Sequence, residues 1–485
     1  MPVRAADRNR VRRSRKSRTV DLRSSGAHRL LPTLAKRQRT VPKSPGSSTV
    51  KPAANSDDWH DSAMTEQLSR HRLPVRVLVA ASVGNAIEWY DWTIYATFSI
   101  YFAKVFFPAG NDVLAQINTA ATYALAFFFR PLGGYLLGRW ADVRGRKPAM
   151  IGTILLMAGG SLLIAVLPGF QQAGWLAPVL LLLARIAQGL SLGGEVSNAS
   201  AYLGEIAPPD RRGRYSSFFY ISTGSAVLLA SVLGFLLSHT MSTATLTSYG
   251  WRIPFAVGGV LGLVGLVLRT TLRETEPFAQ NKIKVTHPLR TTLREHPKAV
   301  GWLVGTTAVS TLVYYTYFSA LTPFAVTSRH AAAQDVFLAL SIGTALFVAL
   351  QYPLGALADR FGRRPQLLVF TGATAVLSVP LSALIGPGVA GLTVVFCVGL
   401  GLYTAQTSIA PALMSELFPT EVRALGIGAW YNITVALLGG TAPLVINALA
   451  AAGLSTLFFW YLAAIAVIGF LVVLTLPETK GKTLT

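Results

Sequence analysis

Two carboxylates lie inside an otherwise apolar and aromatic stretch, residues 84 to 108, which reads GNAIEWYDWTIYATFSIYFAKVFFP. They are Glu88 and Asp91, and because they are three residues apart, a helix would place them side by side on one face. Three more charged residues, Arg130, Arg185 and Glu195, lie in apolar runs further along the chain. A charge in the middle of a membrane costs roughly 3 kcal/mol even on a lenient scale. These five residues therefore either act in function or neutralise one another.

Proton binding is the first chemistry that these acids could support. Burial and charged neighbours change how readily a carboxylate holds a proton. We expect at least one of Glu88, Asp91 and Glu195 to take up and release a proton as its surroundings alternate. The alternative is a static network, in which Arg130 and Arg185 pair with the acids and hold the helices together.

Anion binding is the second chemistry, and it would fall to the arginines. A guanidinium matches a carboxylate with two parallel hydrogen bonds and stays charged at every relevant pH. Arg130 and Arg185 are therefore candidates to bind an acidic substrate, with neutralisation of nearby acids as the alternative. Uncharged side chains complete the predicted substrate site, with simple packing as their alternative role: Tyr90, Tyr314, Tyr317, Gln351, Tyr403, Gln406 and Asn432.

The chain that must position these groups has the composition of a membrane protein. Of its 485 residues, 52% are hydrophobic and 13% are charged, whereas soluble chains carry about 25% charged residues. Apolar runs long enough to cross a bilayer recur throughout. We predict an all-α membrane protein with twelve spans, numbered in chain order: 76–104, 114–139, 149–168, 176–204, 215–238, 252–271, 299–327, 336–358, 366–386, 389–416, 424–450 and 455–476.

Basic residues in the loops predict the orientation of these spans. The loops after spans 2, 4 and 8 and the long connection after span 6 are rich in lysine and arginine, whereas the alternate loops nearly lack both. Short loops with an excess of positive charge stay on the cytoplasmic side of a membrane. We therefore expect both termini in the cytoplasm.

Residues 1–70 differ from the rest of the chain. They contain sixteen basic and six acidic residues and no hydrophobic periodicity, which predicts a disordered tail. A polybasic arm that binds anionic lipid or nucleic acid is one interpretation. The alternatives are that the tail has no role, or that the natural protein starts at Met64. We expect no nucleic-acid partner for the membrane core.

An internal repeat divides the chain into two halves. Residues 138–148 read GRWADVRGRKP and residues 355–365 read GALADRFGRRP, with Gly, Ala, Asp, Gly, Arg and Pro in register 217 positions apart. A motif repeated after the second span of each half indicates a transporter of two pseudo-symmetric six-helix halves. The predicted parts are a tail over 1–70, an N-terminal bundle over 71–271, a cytoplasmic linker over 272–298, a C-terminal bundle over 299–476 and a cytoplasmic tail over 477–485.

The paired motifs resemble those of the major facilitator superfamily. The stretches GNAIEWYDW, LARIAQGLSLGGE, YGWRIPF, ELFPTEVRALGIG and LPETKGKTL also resemble its metabolite:proton symporter branch, from about residue 70 to the C-terminus. The resemblance implies a secondary active transporter of the bacterial inner membrane that works by alternating access. It implies proton symport of a small carboxylate, with 2-oxoglutarate expected and citrate, shikimate or proline/betaine as the alternatives.

The repeated loop resembles the gate latch of the superfamily. An aspartate at the end of a helix can bind the positive N-terminal end of a neighbouring helix or pair with an arginine. By pseudo-symmetry we expect Asp142 near Arg423 and Asp359 near Arg212. The remaining predicted gate residues are Gly138, Gly145, Arg146, Gly355, Gly362 and Arg363.

Several classes of function find no support in the sequence. The sequence shows no cluster of metal-ligating histidines, no GxxxxGK[ST] phosphate-binding loop and no nucleophile triad. We therefore expect neither an enzyme nor a bound cofactor or metal. Outside the tail and the linker the sequence offers no soluble domain of the kind a sensor would carry. We expect a monomer whose partners are a small-molecule substrate, a proton and the lipid bilayer.

Overall fold

The computed structural model of the protein describes residues 75–108, 112–144, 146–191, 207–208, 210–271, 288–419 and 423–482. Side chains are described over 84–108, 112–137, 140, 151–191, 207–208, 210–267, 292–419 and 426–482. All regular secondary structure in these ranges is helical, as predicted. The predicted tail 1–70 and the site residues Gly145 and Glu195 lie outside them.

Helices occupy each of the six spans predicted for the N-terminal half. Spans 1 to 6 are Val75–Phe106; Asp112–Phe128 with Arg130–Arg144; Arg146–Val166; Leu176–Ser191; Arg212–Thr240; and Arg252–Thr271. The short helices Phe170–Ala173 and Thr243–Thr245 and the π-helical turn Leu246–Gly250 lie in the connections after spans 3 and 5.

Helices also occupy the six spans predicted for the C-terminal half. Spans 7 to 12 are Pro297–Tyr315 with Thr316–Ala320 and Leu321–Ser328; Ala333–Phe361; Arg364–Ser382; Val389–Thr407 with Ala410–Leu417; Arg423–Thr434 with Val435–Gly439 and Ala442–Ala451; and Ser455–Thr475. A short helix, Pro288–Glu295, precedes span 7 in the linker.

Many of these helices are suited to a membrane. Within the described residues, six helical segments are long and apolar enough to cross one. A seventh qualifies if Thr243–Gly250 and Arg252–Val267, which meet at an angle of 43°, form one bent span. The apolar surface that faces outward from this bundle includes large side chains such as Val166, Val376 and Leu471, which lipid would cover.

Spans 2, 7 and 11 are interrupted near their middles. Span 2 breaks at Phe129, shortly before Pro131, because proline cannot donate a backbone hydrogen bond and disfavours a helical residue before it. Spans 7 and 11 each contain five residues in a wider π-helical turn, Thr316–Ala320 and Val435–Gly439. Such turns change the direction in which the following side chains point, and they are frequent at functional sites.

Spans 5 and 8 touch backbone to backbone where span 5 begins and span 8 ends. We call this side of the bundle the motif end and the opposite side the far end. A Cβ atom at Gly213 would lie 2.4 Å from the carbonyl oxygen of Gly355, and one at Gly355 would lie 2.6 Å from that of Gly213. Any larger residue at either position would clash with the other backbone. The close contact of the two halves therefore requires glycine at both positions.

Asp359 holds the two halves together at the motif end. Its carboxylate accepts hydrogen bonds from the backbone N–H groups of Gly213 (2.8 Å) and Arg214 (3.1 Å) in the first turn of span 5. These N–H groups have no partner within their own helix, and the helix dipole attracts the negative charge. Of the two modes considered from the sequence, Asp359 therefore binds the N-terminal end of the helix that begins at Arg212. The Arg214 side chain adds a longer ion pair, with its Nε 3.8 Å from Asp359 Oδ2.

Arg212 instead binds a buried glutamate of span 10. Its Nη1 lies 3.6 Å from Glu416 Oε1, and Arg363 Nη2 lies 3.4 Å from the same oxygen. Arg363 Nη1 also lies 3.1 Å from Asp359. Because the remaining Glu416 oxygen accepts from Thr479 at 2.6 Å, the segment after span 12 is part of this network.

Glu478 fixes the start of span 9 from the same C-terminal segment. Its carboxylate accepts hydrogen bonds from the N–H groups of Arg363 (2.8 Å) and Arg364 (3.0 Å), which follow Gly362 with its positive φ of 104°. Partial burial alone would raise the pKa of the Glu478 carboxyl. Backbone N–H donors from residues 363, 364, 479 and 480 outweigh burial and hold that pKa below its ordinary value.

The first copy of the repeated motif is described only in its backbone. Gly138 and Asp142 belong to the helix Arg130–Arg144, and the helices Arg146–Val166 and Arg423–Thr434 begin at the other two predicted partners. Their side chains lie outside the described ranges. The contact between Asp142 and Arg423 therefore stays a prediction.

Replacing Gly355 by valine should force the motif end open. The new side chain would meet the backbone of Gly213, and overpacking of this kind costs about 1–3 kcal/mol. We expect maleimide to label a cysteine at Ser216, which is fully buried on span 5, about tenfold faster in this variant. The background carries Cys397→Ser, which removes the natural thiol.

Gly301→Val is the matched control, because no atom lies within 4 Å of the Cβ position at Gly301 in span 7. It should leave the labelling rate unchanged. Equal labelling of the Gly355→Val variant and the unaltered background would contradict the assignment of this contact to the closed state.

Candidate functional site

A buried ion pair joins spans 1 and 4. Arg185 Nη1 lies 3.5 Å from Asp91 Oδ2, and both residues are at most 1% exposed. The Ser161 hydroxyl on span 3 donates a hydrogen bond to the other Asp91 oxygen. Gln188 accepts from Arg185 Nη1 at 2.6 Å and donates to Ser161 at 3.1 Å. The four side chains form a closed ring across three spans.

The ring does not use the whole guanidinium of Arg185. Its Nε and Nη2 are buried and have no hydrogen-bond partner. These two atoms form one edge of the guanidinium, which is the geometry that binds a carboxylate with two hydrogen bonds. Two aromatic rings contact the guanidinium. Arg185 Cζ lies 4.1 Å from the centre of the Trp92 ring and 4.2 Å from that of the Tyr95 ring. Arg185 therefore has capacity for a second anion.

Arg130 is surrounded by aromatic rings rather than by acids. Its Cζ is 5.6 Å from the centre of the Trp92 ring and 4.7 Å from that of Phe127. The side chain is 1% exposed, and its Nε and Nη1 have no hydrogen-bond partner. No carboxylate among the described side chains forms an ion pair with it. A buried, uncompensated cation is costly unless an anion joins it, which identifies Arg130 as the main candidate for anion binding.

The second half supplies an aromatic wall against this cation. Tyr315 packs edge-on against Phe127 with ring centres 5.2 Å apart, and its hydroxyl is buried without a hydrogen-bond partner. Tyr314 packs against Trp89 of span 1 at 4.7 Å and lies 6.0 Å from Tyr403. These contacts join spans 1, 2, 7 and 10. The role of Tyr314 and Tyr403 in substrate binding stays a prediction.

Two predicted substrate residues lie elsewhere. Tyr90 donates its hydroxyl to the Pro254 carbonyl at 3.1 Å, so it faces span 6 within the N-terminal half. Tyr317 packs over Gly399, because the π turn of span 7 directs its ring toward spans 9 and 10. Helical spacing from neighbouring tyrosines could not predict this redirection. We therefore leave both residues out of the site.

The remaining predicted residues are Gln351, Gln406 and Asn432 in the C-terminal half, Glu88 in span 1, and Glu195. Gln351 donates to Thr407 at 2.7 Å, and its Oε1, like that of Gln406, is buried without a partner. Asn432 donates to the Gly428 carbonyl at 2.8 Å and makes a further contact. Glu88 is 6% exposed and likewise has an interaction partner. Glu195 lies beyond the described residues, so its role stays a prediction.

Ser161 and Gln188 are site residues that the sequence did not predict. Gln188 could have been found, because it lies three residues after Arg185 and therefore on the same helical face. Ser161 carried no signal, since its place beside Asp91 depends on how spans 1 and 3 pack.

Among the described residues, contacts between the two halves lie on both sides of the arginines. Contacts of Asp359 and Glu416 with spans 5 and 9 close the motif end. At the far end, the hydroxyls of Tyr123 and Ser319 form a hydrogen bond of 3.2 Å between spans 2 and 7. Among the described residues there is no group of three or more histidine, cysteine or acidic side chains that could hold a metal ion.

Comparison with known proteins extends these observations. Residues 81–443 match the family model described as the Major Facilitator Superfamily. The chain is 40% identical over 432 residues to the alpha-ketoglutarate permease of Escherichia coli (strain K12), covering 88% of this chain and 99% of that protein. It is 31% identical over 425 residues to the proline/betaine transporter of the same strain, covering 84% of each. Both of these relatives are transporters.

A solved structure has the same fold. The crystal structure of a D-xylose-proton symporter superimposes with a TM-score of 0.66 at 21% identity, covering 84% of this chain and 99% of that one. This structural similarity supports the arrangement of twelve helices that the sequence predicts. The chain belongs to the Major Facilitator Superfamily.

Proposed function

We propose that the protein is a proton-coupled symporter that carries 2-oxoglutarate across the bacterial inner membrane by alternating access. The observation that carries the proposal is the unequal state of the two buried arginines. Arg185 has a carboxylate partner, whereas Arg130 has none among the described residues. The similarity to an alpha-ketoglutarate permease over nearly its full length supports the choice of substrate.

Arg130 binds one carboxylate of the substrate in this mechanism. Its guanidinium lies at the junction of the halves, next to Phe127 and Tyr315, so an anion bound there contacts both halves. In a site with little water, the hydrogen bonds of a charged pair are stronger than in solution. The substrate carboxylate therefore supplies a counter-charge to the Arg130 guanidinium. In the empty protein that guanidinium is buried among aromatic side chains.

Arg185 binds the second carboxylate, in competition with Asp91. While Asp91 is ionised it occupies one side of Arg185 and offsets its charge. When Asp91 takes up a proton, Arg185 loses that counter-charge, and a substrate carboxylate can bind the open Nε and Nη2 edge. Both guanidiniums lie against the Trp92 ring, which keeps them within reach of one small dicarboxylate.

This competition couples the proton to the substrate. A carrier with neither has a paired Arg185, and a carrier with both has Arg185 paired to substrate and a neutral Asp91. The proton alone would leave both guanidiniums without a carboxylate, and the substrate alone would place an ionised Asp91 and a substrate carboxylate at the same guanidinium. Both states are less favourable than the empty carrier, in which only Arg130 lacks a carboxylate among the described residues, so they disfavour the change between open states. Glu88 and Glu195 are the candidates for further proton binding, and Gln351, Gln406, Asn432, Tyr314 and Tyr403 for contacts with the rest of the substrate.

Alternating access would proceed by breaking the contacts at one end while those at the other end remain. At the motif end these are the contacts of Asp359 with span 5 and of Arg212 and Arg363 with Glu416. We assign this end to the cytoplasm because the basic loops predict that orientation. One chain supplies both arginines and both gates, so we propose that the monomer is the working unit.

Replacing Arg130 by alanine should abolish uptake of radiolabelled 2-oxoglutarate into proteoliposomes. Losing one partner of a buried charge pair costs about 3 kcal/mol, which corresponds to roughly a hundredfold loss of affinity. Arg252→Gln is the matched control, because Arg252 also stacks on a tryptophan, Trp251 at 4.4 Å, but lies in span 6 and donates to a backbone carbonyl. Uptake by the Arg130→Ala variant at the control rate would remove Arg130 from the site.

Replacing Asp91 by asparagine should remove the response to a proton gradient. The amide cannot exchange a proton and leaves Arg185 permanently without its counter-charge. We expect that an outside-acid gradient no longer accelerates uptake, while exchange of labelled for unlabelled 2-oxoglutarate across the membrane continues. Asp112→Asn, which disrupts the exposed pair with Lys104, should keep the acid response. If acid-driven uptake persists in Asp91→Asn, the transported proton must bind another acid. Glu88→Gln is then the next variant to measure.

Competition distinguishes the two kinds of substrate that the relatives carry. A dicarboxylate needs both arginines, whereas proline or betaine would have its ammonium face an acid or an aromatic wall. We expect excess unlabelled 2-oxoglutarate to block uptake of the labelled compound and excess proline or betaine to leave it unchanged. Inhibition by proline alone would show that the carrier serves a zwitterion.

A further inference from the structure

A small cavity lies between the two halves on the far-end side of the ion pair. Its volume is about 10 Å³, room for about one water molecule. Spans 1, 2, 7 and 11 enclose it, so both halves contribute to its wall. The polar side chains that line it are Tyr95, Ser99, Gln116, Thr119, Tyr123, Ser319 and Asn447.

Most hydrogen-bond donors of this lining are already used. The hydroxyls of Ser99 and Thr119 and the Nδ2 of Asn447 each donate to a backbone carbonyl of their own helix, at 2.7, 2.9 and 2.7 Å. The Tyr95 hydroxyl donates to the carbonyl of Thr119 at 3.3 Å. Apart from the second N–H of the Gln116 and Asn447 amides, the wall therefore offers acceptor oxygens to whatever occupies the cavity.

One of these acceptors has no partner at all. Asn447 Oδ1 is buried and lacks a hydrogen bond, and the residue is 1% exposed. The bond from Nδ2 to the Pro443 carbonyl determines which atom of the amide is left over. An unsatisfied buried acceptor is destabilising, so the site favours a small donor. A water molecule has the right size and the right chemistry.

We propose that this cavity binds a water molecule that donates to Asn447 Oδ1, and that this water is the first station for protons that travel from the far end to Asp91. The second part rests on the proposed proton symport. A hydronium ion at this station gives one proton to the next acceptor and becomes water again, so the step needs no further reactant. The lone pairs of the lining would stabilise it while it carries the charge.

The position of two tyrosines supports this route. Tyr95 and Tyr123 both line the cavity. Both rings also contact Arg185, whose Cζ lies 4.2 Å from the centre of the Tyr95 ring and 5.7 Å from that of the Tyr123 ring. They are the only layer that the described contacts place between the water site and the ion pair. Among the described residues, the charged and titratable groups around Asp91 include Arg185 on span 4, Glu88 and Tyr90 on its own helix and, next to Trp92, Arg130 on span 2.

The hydrogen bond between Tyr123 and Ser319 would control passage through this layer. Ser319 belongs to the π turn of span 7, so movement of that turn withdraws it from Tyr123 and opens the layer between the rings. The station is thus separated from the ion pair in the closed structure and joined to it when the far end opens. Asn447 acts on the proton through the water, which makes it a positioning residue.

The test compares acid-driven uptake with substrate exchange in proteoliposomes that contain the full chain. Asn447→Leu removes the acceptor at similar volume. We expect acid-driven 2-oxoglutarate uptake to fall about tenfold, as for the loss of one functional hydrogen bond. Exchange, which needs no net proton movement, should stay within about twofold, and Asn447→Ser, which keeps an acceptor oxygen, should restore most of the uptake.

Thr374→Val is the matched control, because Thr374 lines a second cavity of about 10 Å³ between spans 7, 9 and 10, away from the arginines. Both rates should be unchanged in it. An equal fall of uptake and exchange in Asn447→Leu, or a full loss in Asn447→Ser, would overturn the proposal. If the unaltered protein exchanges 2-oxoglutarate but an acid gradient does not accelerate its uptake, the proposed proton symport is wrong.

The water itself can be tested without transport. A crystal structure of the unaltered protein at about 1.8 Å should contain one ordered water within hydrogen-bond distance of Asn447 Oδ1. The same site should be empty in Asn447→Leu. A cavity without density for water in the unaltered protein, or with density for a sodium ion when crystals grow in sodium salts, would contradict the binding site, whatever the outcome for symport.

Discussion

The unequal compensation of two buried cations is the constraint on which the rest of this structure depends. Arg185 shares a ring of hydrogen bonds with Asp91, Ser161 and Gln188, and Arg130 has aromatic neighbours but no acid among the described residues. Aromatic faces lessen the cost of burying a guanidinium but supply no negative charge. Among the described residues, the fold therefore leaves the buried Arg130 charge without a counter-charge. Binding of an anion there would lower the free energy of the buried guanidinium.

The helices achieve this by irregularity as much as by regular packing. Span 2 breaks next to Arg130, and the π turns in spans 7 and 11 alter which side chains face the junction of the halves. The packed regions between these irregular points are continuous helices. Breaks beside a binding site allow local rearrangement without unfolding the spans, because backbone hydrogen bonds elsewhere stay intact.

The sequence predicted the elements and the charged residues better than their partners. Twelve apolar runs correspond to helical segments, since burial in lipid demands long apolar helices. Asp91, Arg130 and Arg185 were identified because charge in an apolar run is unusual. The pairing of Arg185 with Asp91, and the absence of an acid beside Arg130 among the described residues, depend on helix rotation and contact between spans, which no local pattern encodes. Tyr317 was a candidate among the hydroxyl side chains of the second half, and the π turn directs its ring toward Gly399, which no local pattern signals.

The partner of Asp359 has a consequence for genetic studies of the gate. Its carboxylate binds backbone N–H groups at the start of span 5, and main chain is the same whatever residue is encoded there. A charge reversal on span 5 would act only on the longer ion pair of Arg214, whose Nε lies 3.8 Å from Asp359 Oδ2, and would leave these N–H groups without an acceptor. Revertants of a defect at Asp359 should therefore arise mainly where another acidic side chain can reach the same helix end.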